Sequence, residues 1–363
     1  MILADMGADV LKVEDPGIRF YPAPSPLFTP TPGVPEEQRQ QLISAYRFVD
    51  RNKKSITLNL KTEAAQKIFH KLAEQADVIV EEFRPGVTKR LGVDYDTIKN
   101  INPRIVYCSV SCFGQDGPYC QVPGHDPNIM AMSGIVGITG TLDGQHVLPG
   151  MPIADLGGGG MHAAIGVLCA LIARGKTGKG QYVDISMNDG CVSWVAVSRG
   201  QAYFSSGWQP KLGQRPSHVY QTKDGKYISV YPAEPWFWER FCQALGLEEF
   251  IPYQSEVMVW ATGSEKSKEM LSRIAEVFRT KDRDEWLRIL READTCVAPV
   301  NSFDEVFSDP QVLHRQMVIE VDHPTLGKIK QVGIPIKLSD TPGKVRMAAP
   351  LRGQHTEEML HEL

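Results

Sequence analysis

Four consecutive glycines, Gly157–Gly160, separate two apolar stretches, and no other stretch limits the fold so sharply. Before them runs Gly150-Met151-Pro152-Ile153-Ala154-Asp155-Leu156, which reads as a strand-like segment ending in a carboxylate. After them, Met161 to Ile172 reads as a buried helix. Strand, glycine turn and apolar helix are consecutive parts of an α/β layer. A helix N-terminus presents unpaired N–H groups and partial positive charge, so an acid held there stays ionised. Asp is also a favoured helix cap, which is the bland reading of Asp155. Four glycines exceed what a cap needs, and they let another group approach the backbone closely.

The rest of the first half repeats this alternation. Met1 to Asp9 reads as the end of a helix with Gly7 as C-cap, Val10–Glu14 as a strand and Asp15-Pro16-Gly17 as a turn. An α/β sheet normally opens on a strand, so a preceding segment of the native chain is expected. Residues 18–45 are Pro-rich and irregular. Ser55–Leu60 reads as a strand, Thr62–Gln75 as a helix with Ala65, Ile68, Phe69 and Leu72 on one face, and Val78–Val80 as a buried strand. Another helix ends over Thr97–Asn100, and Ile105–Val110 is a further strand. The pattern predicts a largely parallel, doubly wound sheet.

From about residue 215 the texture changes. His218–Val230 reads as a hairpin around Asp224-Gly225, and helices follow at about 235–246, 265–280 and 283–292. The expected organisation is a large Rossmann-like domain over 1–200 and a small α+β domain over 215–315. Residues 317–363 form a strand-and-turn segment packing back on the large domain. No repeat or low-complexity tract interrupts it.

Composition narrows the function classes. A net charge of −4 over 363 residues gives no general nucleic-acid footprint. No continuous apolar stretch reaches the length of a membrane span, and no basic-then-apolar leader opens the chain. Seven cysteines without a C-x-x-C pair fit reduced thiols in a cytoplasmic protein, with no metal site expected.

Read together, several segments resemble the family III CoA-transferases, a family that also holds formyl-CoA transferase, carnitine CoA-transferase and α-methylacyl-CoA racemase. They are Leu3–Glu14, Arg51-Asn52-Lys53-Lys54-Ser55, Ala76–Gly86, Arg90-Leu91-Gly92 and Asn102-Pro103-Arg104. Phe113–Pro118, the Asp155 segment, Thr177–Gln181 and His355-Thr356-Glu357-Glu358 complete the set, in order over nearly the whole chain. The resemblance implies a Rossmann-like large domain with a parallel sheet, a smaller domain, and an interlocked dimer. Either an identical chain or a paralogue could be the second protomer. Family members also carry another strand and turn before the helix that opens this chain.

The resemblance further implies acyl-CoA and a small carboxylic acid as substrates, with coenzyme A handled chiefly on the first domain. Arg51, Lys54, Arg84 and Arg90 become candidates for its phosphates and adenine, with Gly124 and Asp126 as further contacts. Guanidinium forks suit phosphate better than ammonium groups do, and lysines at such places are as readily solvated surface charges. Glu82 departs from the Asn of several transferases.

Two chemistries share the scaffold. In the transferases, the aspartate matching Asp155 attacks the acyl-CoA carbonyl and carries a covalent intermediate. In the racemases it works with a histidine to move the proton α to the thioester. This chain has His125 in Gly124-His125-Asp126 and Glu234 in Ala233-Glu234-Pro235, both racemase-like. Met132–Gly140 and Gly150–Asp155 look more like transferases, and no glycine-run gating loop stands between 205 and 235. His125 also fits a plain turn histidine, Glu234 a helix-start acid, Trp236 and Trp238 packing residues, and His162 a core-facing position. CoA transfer is the first expectation, racemisation the second, and a non-catalytic CoA-binding subunit the third.

Overall fold

The computed structural model describes residues 1–17, 45, 47–141, 143–209, 218–258 and 264–363. The Pro-rich stretch 18–45, except its last residue, lies outside the described residues, as do 210–217 of the segment expected to lack a gating loop. The chain forms two compact units, one of Met1–Gly124, Ala154–Gly190 and Phe307–Leu363, the other of His125–Ile153 and Cys191–Val306. Residues 125–153 thus group with the second unit, whereas the sequence reading had them inside 1–200.

In the first unit, β1 (Val10–Glu14) pairs in parallel with β2 (Lys53–Thr57). The second strand begins two residues before the expected Ser55 and ends at Thr57. A separate parallel sheet contains β3 (Val78–Glu81), β4 (Val106–Ser111) and β5 (Gln181–Ser186) in that order. All six residues of β4 are buried, because both its faces are covered. Val106, Cys108 and Val110 meet Ala163, Val167 and Ala170 of the glycine-led helix. On the opposite face Tyr107 packs with Ala73, Ile98 and Ile105, and its hydroxyl donates to the Val93 carbonyl at 2.8 Å. A strand with helices on both faces is the doubly wound arrangement that the sequence pattern predicts.

The helix Glu63–Gln75 starts where Thr62 accepts from the Ala65 N–H. Its Ala65, Ile68, Phe69 and Leu72 pack towards Ile56 and Leu58, the face expected from periodicity. The long helix Ala154–Thr177 crosses β5 closely enough that a Cβ at Gly166 would lie 2.8 Å from Val183. By length and composition this 24-residue helix could cross a membrane, although no continuous apolar stretch in the sequence reaches that length. Here it is half core, half surface: Ala163, Val167 and Ala170 are buried, while Ile165, Leu168 and Ile172 face outward. The sequence pattern reads Met161–Ile172 as a buried helix, and one face of it is exposed instead.

In the second unit, β6 (Val219–Gln221) and β7 (Tyr227–Val230) form the expected hairpin, with Thr222 donating to Asp224 across the turn at 2.6 Å. The strand β8 (Val297–Pro299) joins antiparallel to β7. Helices Pro235–Leu245, Glu265–Phe278 and Arg283–Glu292 lie where they were predicted. They enclose Trp238, Phe241, Phe278 and Trp286, and the two indole N–H groups donate to the carbonyls of Phe250 and Phe278. Each such aromatic contributes about 1.5–3 kcal/mol of burial, and its polar atom finds a partner, as buried indoles require.

The chain then returns to the first unit as a hairpin of β9 (Val318–His323) and β10 (Gly327–Val332). Asn52 holds this return segment by donating to the Lys344 carbonyl at 2.8 Å and accepting from the Arg346 N–H at 2.6 Å.

Candidate functional site

Asp155 does not end a strand. Residues 150–152 are irregular, and Asp155 sits in the first turn of the helix that continues to Thr177. Pro152 and Gly150 weaken strand formation, and Pro is tolerated just ahead of a helix start. The carboxylate is exposed and lies near the positive end of a 24-residue helix.

The glycines are not a turn either. Ala154–Met161 winds as wide π-helical turns, a form found mostly as single turns inside helices and often at functional sites. Their bareness is used for contact. A Cβ on Gly190 would fall 2.6 Å from the Gly158 carbonyl oxygen, and one on Gly159 would fall 3.0 Å from Met187 and 3.4 Å from Val110. The helix Met187–Val195 and the end of β4 therefore press directly on the helix backbone one turn beyond Asp155. His162 is half-buried, its Nδ1–H donating to the Gly157 carbonyl at 2.9 Å, so it braces the π-helical turns rather than the core.

Arg84 and Arg90 occupy the loop and short helix after β3. Both are exposed and form no ion pair among the described residues, and Lys89 beside them is likewise exposed. The loop is pinned from below, where the Glu81 carboxylate accepts the Phe83 N–H at 2.8 Å. Burial pushes the Glu81 carboxyl above its ordinary range, against the hydrogen bonds it accepts from Ser109 and Phe83.

Arg51 is a correction. Its side chain is 0 % exposed and paired with Asp5 at 2.7 Å. The Nε–H donates to Asp5 at 3.0 Å, and the remaining N–H groups reach the carbonyls of Val332 and Gly333. No edge of this guanidinium is left for a phosphate; it ties the turn before β2 to Asp5 and to the return segment. Lys54 lies between the extremes, half-exposed and bonded to Glu358 at 2.7 Å, which raises its ammonium above the usual value.

Of the remaining candidates, Gly124, His125 and Asp126 lie where the chain passes from the first unit to the second, and Glu234 lies within the second. Gly124 ends the first stretch of the first unit, and its carbonyl accepts from the Cys112 thiol at 3.4 Å. His125 opens the second unit as the exposed N-cap of the helix Asp126–Met132, its backbone N–H donating to Asn128 at 3.0 Å. Asp126 is buried in the first turn of that helix. Glu234 is the N-cap residue of Pro235–Leu245, the place of a helix-start acid, and among the described residues no hydrogen bond or ion pair joins it to His125. Trp236 is 55 % exposed, whereas Trp238 is core.

Sequence reasoning missed a polar group at the carboxyl ends of β4 and β5. Ser111 Oγ, Gln115 Nε2 and Asn188 Oδ1 are buried atoms with no hydrogen-bond partner among the described residues. Gln115 stood inside a quoted motif, but Ser111 and Asn188 carry no local signal, because their grouping depends on β4 and β5 pairing.

A parallel sheet with a glycine-led helix, an exposed aspartate at that helix's start and exposed arginines after β3 suits an enzyme that binds an anionic ligand and reacts it with a nucleophile. Residues 1–356 match the CoA-transferase family III, and the chain belongs to that family. It is 35 % identical to human (Homo sapiens) succinyl-CoA:glutarate CoA-transferase, over all of this chain and 81 % of the relative. It is 30 % identical to human α-methylacyl-CoA racemase, over all of this chain and 88 % of that relative. Among solved structures it is similar to a CaiB/BaiF family protein from Brucella suis, with a TM-score of 0.80 and 29 % identity over 99 % of this chain and 93 % of the other.

Proposed function

We propose that this family III CoA-transferase moves CoA from an acyl-CoA to a small carboxylic acid through a covalent intermediate on Asp155. The observation that carries the reading is the exposed Asp155 carboxylate in the first turn of a helix whose next turn is bare backbone. The carboxylate attacks the thioester carbonyl, the C–S bond breaks, and CoA leaves as a thiolate, giving a mixed anhydride. The thiolate then attacks the aspartyl carbonyl, releasing the first carboxylate and leaving an aspartyl-CoA thioester. The acceptor carboxylate reverses these two steps and leaves with CoA, restoring Asp155. Arg84 and Arg90 serve the phosphates of CoA, with Lys54 a lesser contact and Gly124 and Asp126 nearby in sequence to His125.

The acyl-CoA and carboxylate substrates follow from the family, while the acid itself is left open between dicarboxylic and other small acids. An interlocked dimer, with an identical chain or a paralogue, is supported by apolar surface on each unit: Ile172 is 66 % exposed on the first, Phe204 80 % on the second. A cytoplasmic setting is supported by seven cysteines that are all free.

The racemase reading is favoured by one observation, His125 standing exposed at a helix start in a chain that matches a racemase along its whole length. One assay separates the two. The protein is incubated with acyl-CoA in D2O, with and without free carboxylate, and products are read by mass. Exchange of CoA into the added acid, without α-deuterium, is the expected result. Deuterium at the α-carbon with no exchange would install His125, Asp155 and Glu234 as proton-transfer groups instead. Asp155→Ala is expected to lower kcat by about a thousandfold or more, as loss of a covalent nucleophile does. Activity within about tenfold of wild type would reduce Asp155 to a helix-start acid.

A further inference from the structure

We propose that His162 is a positioning residue for Asp155: by donating its Nδ1 proton to the Gly157 carbonyl, it holds the widened helical turn that sets where the Asp155 carboxylate points. The inference rests on the reading of Asp155 as the nucleophile, and it adds to that reading a residue whose sequence context suggests only the core.

The helix Ala154–Thr177 changes its winding partway along. Ala154–Met161 is π-helical, and His162–Thr177 is an ordinary α-helix. A π turn closes between residues five apart, an α turn between residues four apart. One residue more in a turn rotates everything ahead of it by about 100° around the helix axis. Asp155 stands ahead of this change, and His162 stands at it. The α-helical part is anchored on the sheet by Ala163, Val167 and Ala170. The winding between therefore decides the direction in which the Asp155 side chain leaves the helix.

The main chain of this stretch does not choose its own winding. Glycine is the weakest helix former after proline, and Gly157–Gly160 places four in a row. The wide form needs support from outside that backbone. One support is the helix at Gly190, where an added Cβ would lie 2.6 Å from the Gly158 carbonyl oxygen. The other is His162. Its Nδ1 lies 2.9 Å from the Gly157 carbonyl oxygen, five residues back, which is the spacing at which a π turn closes. Gly157 is buried, so its carbonyl depends on donors within the protein. The imidazole is held in turn, because a Cβ on Gly190 would also come within 2.9 Å of Nδ1.

A carbonyl oxygen only accepts, so the proton of this hydrogen bond belongs to Nδ1. With that proton engaged by Gly157, Nδ1 anchors backbone and does not act as a base towards substrate. Its influence on the reaction runs through the position of Asp155.

The test compares His162→Leu, which fills the space without a donor, with His162→Asn, whose amide N–H can stand in for Nδ1–H. CoA exchange kinetics are read together with backbone hydrogen–deuterium exchange over residues 154–170. His162→Leu is expected to lower kcat about ten- to a hundredfold with the KM for acyl-CoA within about twofold of wild type, since a reacting group is misaimed while CoA binding is kept. Its amides over 158–162 are expected to exchange about tenfold faster, the size of one lost hydrogen bond, while 163–170 stay protected as in wild type. His162→Asn is expected to restore most of both. His162→Ala replaces His162→Leu in the comparison if leucine unfolds the protein. Wild-type kcat in the donorless variant, unchanged exchange over 158–162, or a His162→Asn protein as impaired as the donorless one would each overturn the proposal. The last of these would make the imidazole itself a participant in the chemistry. The nucleophile reading fails separately, by an Asp155→Ala protein that stays active, and the amide rates then still decide whether His162 holds the turn.

Discussion

Arg51 and the Arg84–Arg90 pair answer to the same description in the sequence, as guanidinium groups in segments shared with a CoA-handling family. The structure sends them to opposite ends of what arginine can do. Arg51 is wholly enclosed, bridging Asp5 and two carbonyls of the return segment. Arg84 and Arg90 stand exposed and without an ionic partner among the described residues. A guanidinium can serve phosphate only if its N–H edges are open, and residue type says nothing about that. What decides is whether the fold has already supplied acceptors. For Arg51 it has, from residues 46 and 281 positions away.

The comparison breaks if Arg51 tolerates removal. Arg51→Met leaves the buried Asp5 carboxyl with the Asn52 amide but without its cation, and takes the guanidinium from two carbonyls; breaking a buried pair from one side costs about 3–5 kcal/mol. Loss of most folded protein, or an unfolding free energy from urea titration lowered by that amount, is the expected result. A stable variant with weakened CoA binding would return Arg51 to the ligand site. Arg84→Ala and Arg90→Ala should do the reverse. Neither side chain has an ionic partner to orphan among the described residues, so melting is expected to stay unchanged. The KM for acyl-CoA should rise about tenfold in each, the size of one charge-assisted contact, with kcat nearly constant because phosphate contacts are equal in ground and transition states. Raising salt should narrow the gap between wild type and variants, since exposed charges are screened.

What the sequence disclosed divides along the same line. Elements set by local pattern were legible: the Asp224-Gly225 hairpin, the capped helix after Thr62, and the three amphipathic helices of the second unit. Asp155 was legible as an acid at a helix start, because a glycine run and an apolar run mark that boundary without help from the rest of the chain. The strand before it was an error of periodicity: apolar residues near Gly150 and Pro152 do not make a strand when no neighbour pairs with them. The strand that does exist, Gln181–Ser186, alternates weakly and is defined by its pairing with β4. The burial of Arg51 and the grouping of Ser111, Gln115 and Asn188 were out of reach for one reason. Each depends on contacts between segments far apart in the chain, which no window of sequence contains.

The smallest expected effect sharpens the comparison from beneath the arginine loop. Glu81 is a part-buried carboxylate in the same sheet row as Ser109 and Asp184, and it holds the Phe83 N–H next to Arg84. Its carboxyl is raised chiefly by burial, partly opposed by Ser109 and Phe83, and raised again by the charges of Glu82 and Asp184. A carboxyl with a raised folded pKa binds its proton more tightly in the native state than in the unfolded one. Stability from this group is therefore present at acid pH and is lost as pH rises through the raised value. Glu81→Gln keeps an acceptor oxygen for Phe83 and removes the charge. It is expected to melt slightly above wild type at neutral pH, with the difference vanishing as pH falls below the ordinary carboxylate range. The KM for acyl-CoA should stay near wild type, since the loop keeps its anchor. A rise in KM as large as that of Arg84→Ala would show that the negative charge itself, and not the hydrogen bond, sets the loop that presents the arginines. A variant less stable than wild type at neutral pH would show that the ionised carboxylate holds Phe83 better than burial penalises it.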